Sequence, residues 1–245
     1  MKRKEFVKLM AAGIGGALLT ACGGGANGGG GDGNHEIVPV PNGYKFLPLL
    51  GAGDSLPTGT TVSELSPIIM VNDRSEVLID CIDSAGAHGV YEYYFEHDES
   101  RAAILSTRKL LREGDILPDG IEASHFHVGS TNNNGNFAIR VSDAATGIAR
   151  IYLELEKGGL RPVVKPGDPI PSAAGAFASS FGDLDLDDTD SLVLASHYVP
   201  EGGTSPMEGV FHLAGGSVSD AGSLLLSSGE VLSGAGASVH RIGLL

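Results

Sequence analysis

Apolar residues recur along most of the chain in short runs, separated by glycine, asparagine, aspartate and proline. Within the runs, apolar and polar residues alternate, as in residues 137–141 and 151–155. A period of two with β-branched and aromatic residues is typical of strands that bury one face. Residues 101–112 come nearest to a helical period, but their paired leucines match strand positions elsewhere. The pattern predicts an all-β domain over residues 35–245.

The runs belong to a repeat of about 55 residues, in which three anchors keep their order. The first is Gly-Asp, followed three residues later by proline in the complete copies; it begins at Gly53, Gly114 and Gly167, with a degraded copy at Gly229. The second is rich in asparagine and aspartate and begins at Asn72, Asn132 and Asp187. Because these side chains cap their own backbone, we expect a tight turn that opens a strand. The third places an aromatic residue in a strand at Tyr91, Tyr152 and Phe211.

Each unit contains about four short apolar runs, which we expect to be four strands. A unit of four strands and about 55 residues is typical of a propeller blade, whereas the repeats of solenoids are usually shorter. We therefore predict a propeller-like array of three four-stranded repeats at residues 53–113, 114–166 and 167–228, with a partial repeat at 229–245. Closed propellers have 4–8 blades. Two interpretations stay open: an incomplete array with exposed edges, or a fragment of a longer sequence.

The N-terminus has the pattern of an export signal. Four basic residues lie among the first eight, and thirteen uncharged residues follow at positions 9–21. That stretch is too short to span a bilayer as a helix. It ends in Leu19-Thr20-Ala21-Cys22, which resembles the lipobox of bacterial lipoproteins. The resemblance implies a signal peptide at residues 1–21 and a lipid-anchored Cys22.

Residues 22–34 predict a flexible, glycine-rich tether between the lipid and the domain. The residue after Cys22 is glycine rather than aspartate, and in this the chain resembles lipoproteins that are sent to the outer membrane. Residues 3–8 resemble the twin-arginine export motif with lysine for the second arginine, so both this route and general secretion stay open. The sequence predicts a cell-envelope protein whose membrane contact is its lipid.

The second repeat carries a family resemblance. Asn132, Gly135 and Ala138-Ile139 are spaced as in the NxxGxxAF tandem repeats of exported bacterial proteins. The resemblance implies blade-like repeats and export, and it brings no biochemical activity with it. The first and third repeats depart from it, with Ser75 and Asp190 in place of the glycine.

The net charge of −14 narrows the classes of partner. It argues against a sequence-independent nucleic-acid binder, which needs a basic surface, and against attachment by anionic lipid headgroups. There are two cysteines. With Cys22 lipidated, Cys81 has no disulfide partner, and alternation places it on one face with Val77 and Ile79. We expect a buried thiol that packs as a small apolar residue.

Two motifs suggest chemistry. Gly53-Asp54-Ser55-Leu56 spells the GDSL signature of a lipase and esterase family, but Ile116 and Pro169 replace Ser55 in the other copies. The segment of Asp183, Asp185 and Asp187 resembles the calcium loops of FG-GAP propellers. Its alternative interpretation is a strand with aspartates on its wet face.

The sequence thus favours a lipid-anchored exported β-repeat protein, non-enzymatic and without a cofactor, in a binding or surface-structural role. Its protein or glycan ligand is not specified by the sequence. A calcium-binding, adhesin-like propeller module with Asp183, Asp185 and Asp187 as ligands is the alternative. A GDSL-type hydrolase is the third.

Overall fold

The computed structural model describes residues 49–97, 102–170, 175–214, 222–227, 231–232 and 237–238. The predicted signal peptide, the lipobox with Cys22, and the tether lie outside these residues. The described residues form strands and turns without an α-helix, so the all-β prediction is confirmed. Among them no helix is long and apolar enough to cross a membrane. The chain divides into two compact units, Met1–Lys109 and Leu110–Leu245.

The first sheet has four antiparallel strands in chain order. They are β1 (Val62–Val71), β2 (Glu76–Asp83), β3 (His88–His97) and β4 (Ala102–Arg112). The stretch nearest to a helical period is therefore strand β4. A hydrophobic core includes Val77, Ile79 and Cys81, each at most 2% exposed. The predicted burial of these three residues on one face is confirmed, but Leu78 and Asp80 on the other face are buried as well, so β2 is covered on both sides.

The second sheet lies in the unit Leu110–Leu245 and is also a four-stranded antiparallel meander. Its strands are β5 (Ala123–Thr131), β6 (Phe137–Asp143), β7 (Ala149–Glu154) and β8 (Leu160–Val164). Its burial pattern differs from that of a one-sided sheet, because Phe137, Ala138 and Ile139 are all fully buried in succession. Both faces of β6 are therefore covered.

The third sheet lies in the same unit and has the order β13-β12-β11-β10-β9. Its strands are β9 (Pro169–Ile170), β10 (Gly175–Leu186), β11 (Leu192–Pro200), β12 (Met207–Leu213) and β13 (Gly222–Ser227). Two further short strands, β14 (Val231–Leu232) and β15 (Ala237–Ser238), pair with each other. One core joins the second and third sheets, with Ala138, Ile151 and Leu153 from the former against Leu192, Leu194 and Phe211 from the latter.

Each of the three sheets has a buried aromatic residue at the same position in its strand pairing. Tyr91 pairs with Ile79, Tyr152 with Ile139, and Phe211 with Leu194. All three rings are fully buried. The third sequence anchor is therefore a core position common to the sheets, and the fold is a propeller-like set of four-stranded repeats with additional short strands.

Candidate functional site

The Gly-Asp anchor forms the same turn in each complete repeat. Its glycine has a left-handed φ of 91°, 87° or 89° at Gly53, Gly114 and Gly167, a conformation that side chains disfavour. The aspartate that follows accepts a hydrogen bond from the backbone N–H three residues earlier, in the pairs Asp54–Gly51 at 2.7 Å, Asp115–Arg112 at 2.7 Å and Asp168–Lys165 at 2.9 Å. Glycine and aspartate thus build a backbone turn.

Ser55, the serine of the GDSL letters, lies directly after this turn. It is exposed and forms an isolated β-bridge with Thr61. Ile116 forms the equivalent bridge with Glu122, and Pro169 pairs at the same place with Ala176. The turn therefore does not depend on a serine at this position.

The asparagine-rich anchor is a second repeated turn, built around one side-chain oxygen. The Oδ1 atom of its first residue accepts two backbone N–H groups, two and four residues later, at 2.8–3.1 Å. The first residues are Asn72, Asn132 and Asp187. The fourth residue is left-handed in every copy, with φ of 61° at Ser75, 80° at Gly135 and 62° at Asp190. The departures from glycine therefore keep the backbone conformation.

Asp187 is the one carboxylate among these three capping residues. The Thr189 hydroxyl, with the backbone N–H groups of Ser191 and Thr189, holds the pKa of Asp187 below its ordinary value. Hydrogen bonds to the charged form are the physical cause. The side chain therefore acts as an ionised turn cap.

The turns of the second and third sheets bind each other through amide and carboxylate groups. The Nδ2 atoms of Asn132 and Asn136 both donate to Asp190 Oδ1, at 2.7 Å each. Asn133 donates its backbone N–H and its side-chain amide to the two oxygens of Asp188, at 2.8 and 3.0 Å. An amide-rich turn thus supplies donors and an acidic turn supplies acceptors, which gives Asp188 and Asp190 a role within the domain.

The predicted calcium ligands lie in this acidic segment. Asp183 and Asp185 are on strand β10, and Asp187 caps the turn that follows. Asp185 accepts a 2.5 Å hydrogen bond from the Ser130 hydroxyl of the second sheet. In the part of the chain that the structure describes, no three His, Cys, Asp or Glu residues are grouped to hold a metal ion. Calcium binding by these aspartates stays a prediction.

Cys81 lies in the core of the first sheet, 1% exposed. Burial, with the nearby charges of Asp80 and Asp83, raises the pKa of its thiol to about 11. A protonated, enclosed thiol is a poor nucleophile. Its position agrees with the expected packing role.

A group that the sequence analysis missed lies across the third sheet. The Ser180 hydroxyl is 2.6 Å from His197 Nδ1, and His197 Nε2 is 3.9 Å from Glu208 Oε1. The three residues belong to the adjacent strands β10, β11 and β12, and His197 pairs directly with Glu208. Serine, imidazole and carboxylate therefore follow one another along a line perpendicular to the strands.

A β-bulge places the serine in this line. The register of β10 against β11 shifts between Phe177 and Phe181, which brings Ser180 within reach of His197. The Ser196 hydroxyl, buried in the sheet, donates to the carbonyl of Ser180 at 2.9 Å. The Arg140 guanidinium from the second sheet donates to the next carbonyl, that of Phe181. Side chains thus satisfy carbonyls where the ladder is irregular.

No local motif announces this group, because its members are 17 and 11 residues apart in the sequence. Only the pairing register of β10, β11 and β12 would have shown that these residues are neighbours. That register includes the bulge in β10, which the sequence pattern does not reveal. Comparison with known proteins adds no family: no family model matches the chain, and no curated protein matches it. The functional proposals therefore rest on the sequence and on the geometry above.

Proposed function

We propose that this chain is a lipid-anchored, exported protein of the bacterial cell envelope, whose β-repeat domain serves as a binding or surface-structural module. The observation that carries the proposal is the succession of features in the N-terminal sequence. A basic start is followed by thirteen uncharged residues, by Leu19-Thr20-Ala21-Cys22 and by a glycine-rich segment. A lipid on Cys22 would hold the domain at a membrane surface without a spanning helix.

The use of the repeated polar residues supports a scaffold role for the domain. The Gly-Asp and asparagine-rich anchors form turns, and the acidic turn of the third sheet accepts hydrogen bonds from the second. Surface loops on such a framework are free to vary and to bind partners. The resemblance to exported NxxGxxAF repeats supports the same role.

The anchor is tested by expressing the full chain in a bacterial host with radioactive palmitate. We expect label in the membrane fraction, and loss of label in Cys22→Ala because the thiol that accepts the lipid is gone. Cys81→Ala is the matched control, and it should keep the label. Label retained in Cys22→Ala would contradict the proposal.

A further inference from the structure

We propose that Ser180, His197 and Glu208 form a reactive-serine site that accepts acyl groups from carboxylic esters. The inference goes beyond the binding or surface-structural role, and it revises the expectation of a non-enzymatic protein. That expectation came from motifs at repeat positions, where the polar residues serve turns. Ser180, His197 and Glu208 belong to none of the three anchors.

The distance between Ser180 and His197 carries the inference. A general base must lie within about 2.6–3.2 Å of the group that it deprotonates, and the Ser180 hydroxyl lies 2.6 Å from Nδ1 of the imidazole. A serine paired with a histidine, which is in turn oriented by a third group, is the arrangement that activates a hydroxyl for attack. Recognition rests on geometry and roles, since such groups recur on unrelated folds.

Glu208 favours the required tautomer of His197. Its carboxylate lies 3.9 Å from Nε2, so it attracts a proton on Nε2 and leaves Nδ1 as the acceptor for the serine hydroxyl. The same negative charge stabilises the imidazolium that forms when the serine is deprotonated. Glu208 is therefore a positioning residue, and Ser180 and His197 are the reacting groups.

The surroundings of the site combine rigidity with access. Ser196, fully buried, holds the carbonyl of Ser180, and Arg140 holds that of Phe181. One of these hydrogen bonds comes from the third sheet and the other from the second, and together they hold the bulge in place. A reactive site needs such supporting groups to keep its reacting side chains in position. Ser180 itself is exposed, while the side chains of His197 and Glu208 are 31% and 19% exposed. A small ester can reach the hydroxyl, and water can reach the same place.

The reaction is acyl transfer with water as the second substrate. Ser180 Oγ attacks the ester carbonyl while its proton moves to His197 Nδ1. The tetrahedral adduct collapses, the bond from the carbonyl carbon to the alkoxy oxygen breaks, and the imidazolium returns the proton to the leaving alcohol. Water then attacks the acyl-serine with the same base, which releases a carboxylic acid and restores the hydroxyl.

The test uses the purified full chain and a fluorophosphonate probe, with 4-nitrophenyl acetate as a small ester. The phosphorus atom of the probe bonds to an activated serine oxygen and fluoride leaves, so peptide mapping identifies the modified residue. We expect modification of Ser180 and its loss in Ser180→Ala. In His197→Gln the labelling rate should fall about 100-fold, within the usual contribution of a general base.

Ser55→Ala is the matched control, because Ser55 is also exposed and carries the GDSL letters. It should label and hydrolyse the ester as the unaltered chain does. Glu208→Gln should slow labelling about 10-fold because the imidazolium that forms loses a neighbouring negative charge, while Glu208→Asp, which keeps the charge, should recover part of the rate. A merely structural glutamate would not separate the two variants in this way.

Three results would overturn the inference: no label on Ser180, label on Ser55 instead, or equal labelling rates in the unaltered chain and His197→Gln. Circular dichroism of each variant separates loss of reactivity from loss of fold. Failure of this test leaves the lipid anchor untouched, because palmitate labelling of Cys22 does not involve the third sheet.

Discussion

At the scale of single residues, three different residue types adopt the same backbone conformation. Ser75, Gly135 and Asp190 all have a left-handed φ at the same place in the turn. For residues other than glycine this conformation costs about 1–2 kcal/mol. Asp190 offsets that cost by accepting hydrogen bonds from Asn132 and Asn136. The same backbone position therefore tolerates replacement differently in each repeat.

We predict that Ser75→Gly stabilises the folded protein and that Asp190→Gly destabilises it. Glycine at position 75 removes the backbone strain of the folded state, but it also raises the conformational entropy of the unfolded chain. The net effect is an increase of about 0.5–1 kcal/mol in the free energy of unfolding. Asp190→Gly also relieves strain but leaves two amide donors without their acceptor, at about 1–3 kcal/mol each when buried. Urea unfolding measures both, and each variant is the control for the other. Changes of the same sign would contradict the argument.

At the scale of elements, a missing side chain sets the contact between strands β5 and β10. A Cβ atom added to Gly129 would lie 1.9 Å from Cδ1 and 2.1 Å from Cγ of Leu184. Leu184 is 5% exposed and belongs to the core shared by the second and third sheets. Glycine at this place lets one sheet approach the other, which no property of strand β5 alone requires.

We predict that Gly129→Ala lowers the free energy of unfolding by about 1–3 kcal/mol, because the new methyl group overpacks the contact. In a Leu184→Ala background the same substitution should cost much less, since the space is then free. Urea unfolding of the two single variants and the double variant forms the cycle. Additive effects would show that the two residues do not meet.

At the scale of the whole molecule, the net charge of −14 at pH 7 produces self-repulsion that acidification relieves only down to the isoelectric point of about 4.8, below which the protein is positive. The part of the stability in acid that belongs to particular carboxylates is therefore assigned by variants of those residues. The pKa of Asp187 is lowered by Thr189, and that of Asp143 by the Thr146 hydroxyl and the Ala145 N–H. A lowered folded-state pKa contributes stability above the unfolded value, and this contribution is lost as the pH falls.

We predict that the protein loses stability between pH 5 and pH 3, with the main loss below the ordinary aspartate pKa of 3.8. A double variant with Asp187→Asn and Asp143→Asn should lose less over this range, because asparagine keeps the capping oxygen but does not titrate. Asn72 and Asn132 already cap equivalent turns, so the replacement fits at position 187. Urea midpoints at both pH values measure the difference. Equal losses in the two proteins would contradict the assignment.

Much of the fold followed from local patterns. The alternation that placed Val77, Ile79 and Cys81 on one face predicted a buried strand, because a strand has a period of two. The asparagine-rich anchor predicted a turn, because an Asx side chain caps the backbone within four residues. Both arguments need only neighbours in the sequence, so they hold without the tertiary structure.

The tertiary structure alone decided which polar groups meet. Asn133 reaches Asp188, and Ser180 reaches His197, across 55 and 17 residues of sequence. Such pairs depend on strand register, on the bulge in β10 and on the close approach at Gly129, none of which a local pattern encodes. The sequence by itself thus determined strands and turns, and it predicts a lipid anchor at Cys22, which stays a prediction. The packing of the sheets decided which turns bind each other and where a serine meets an imidazole.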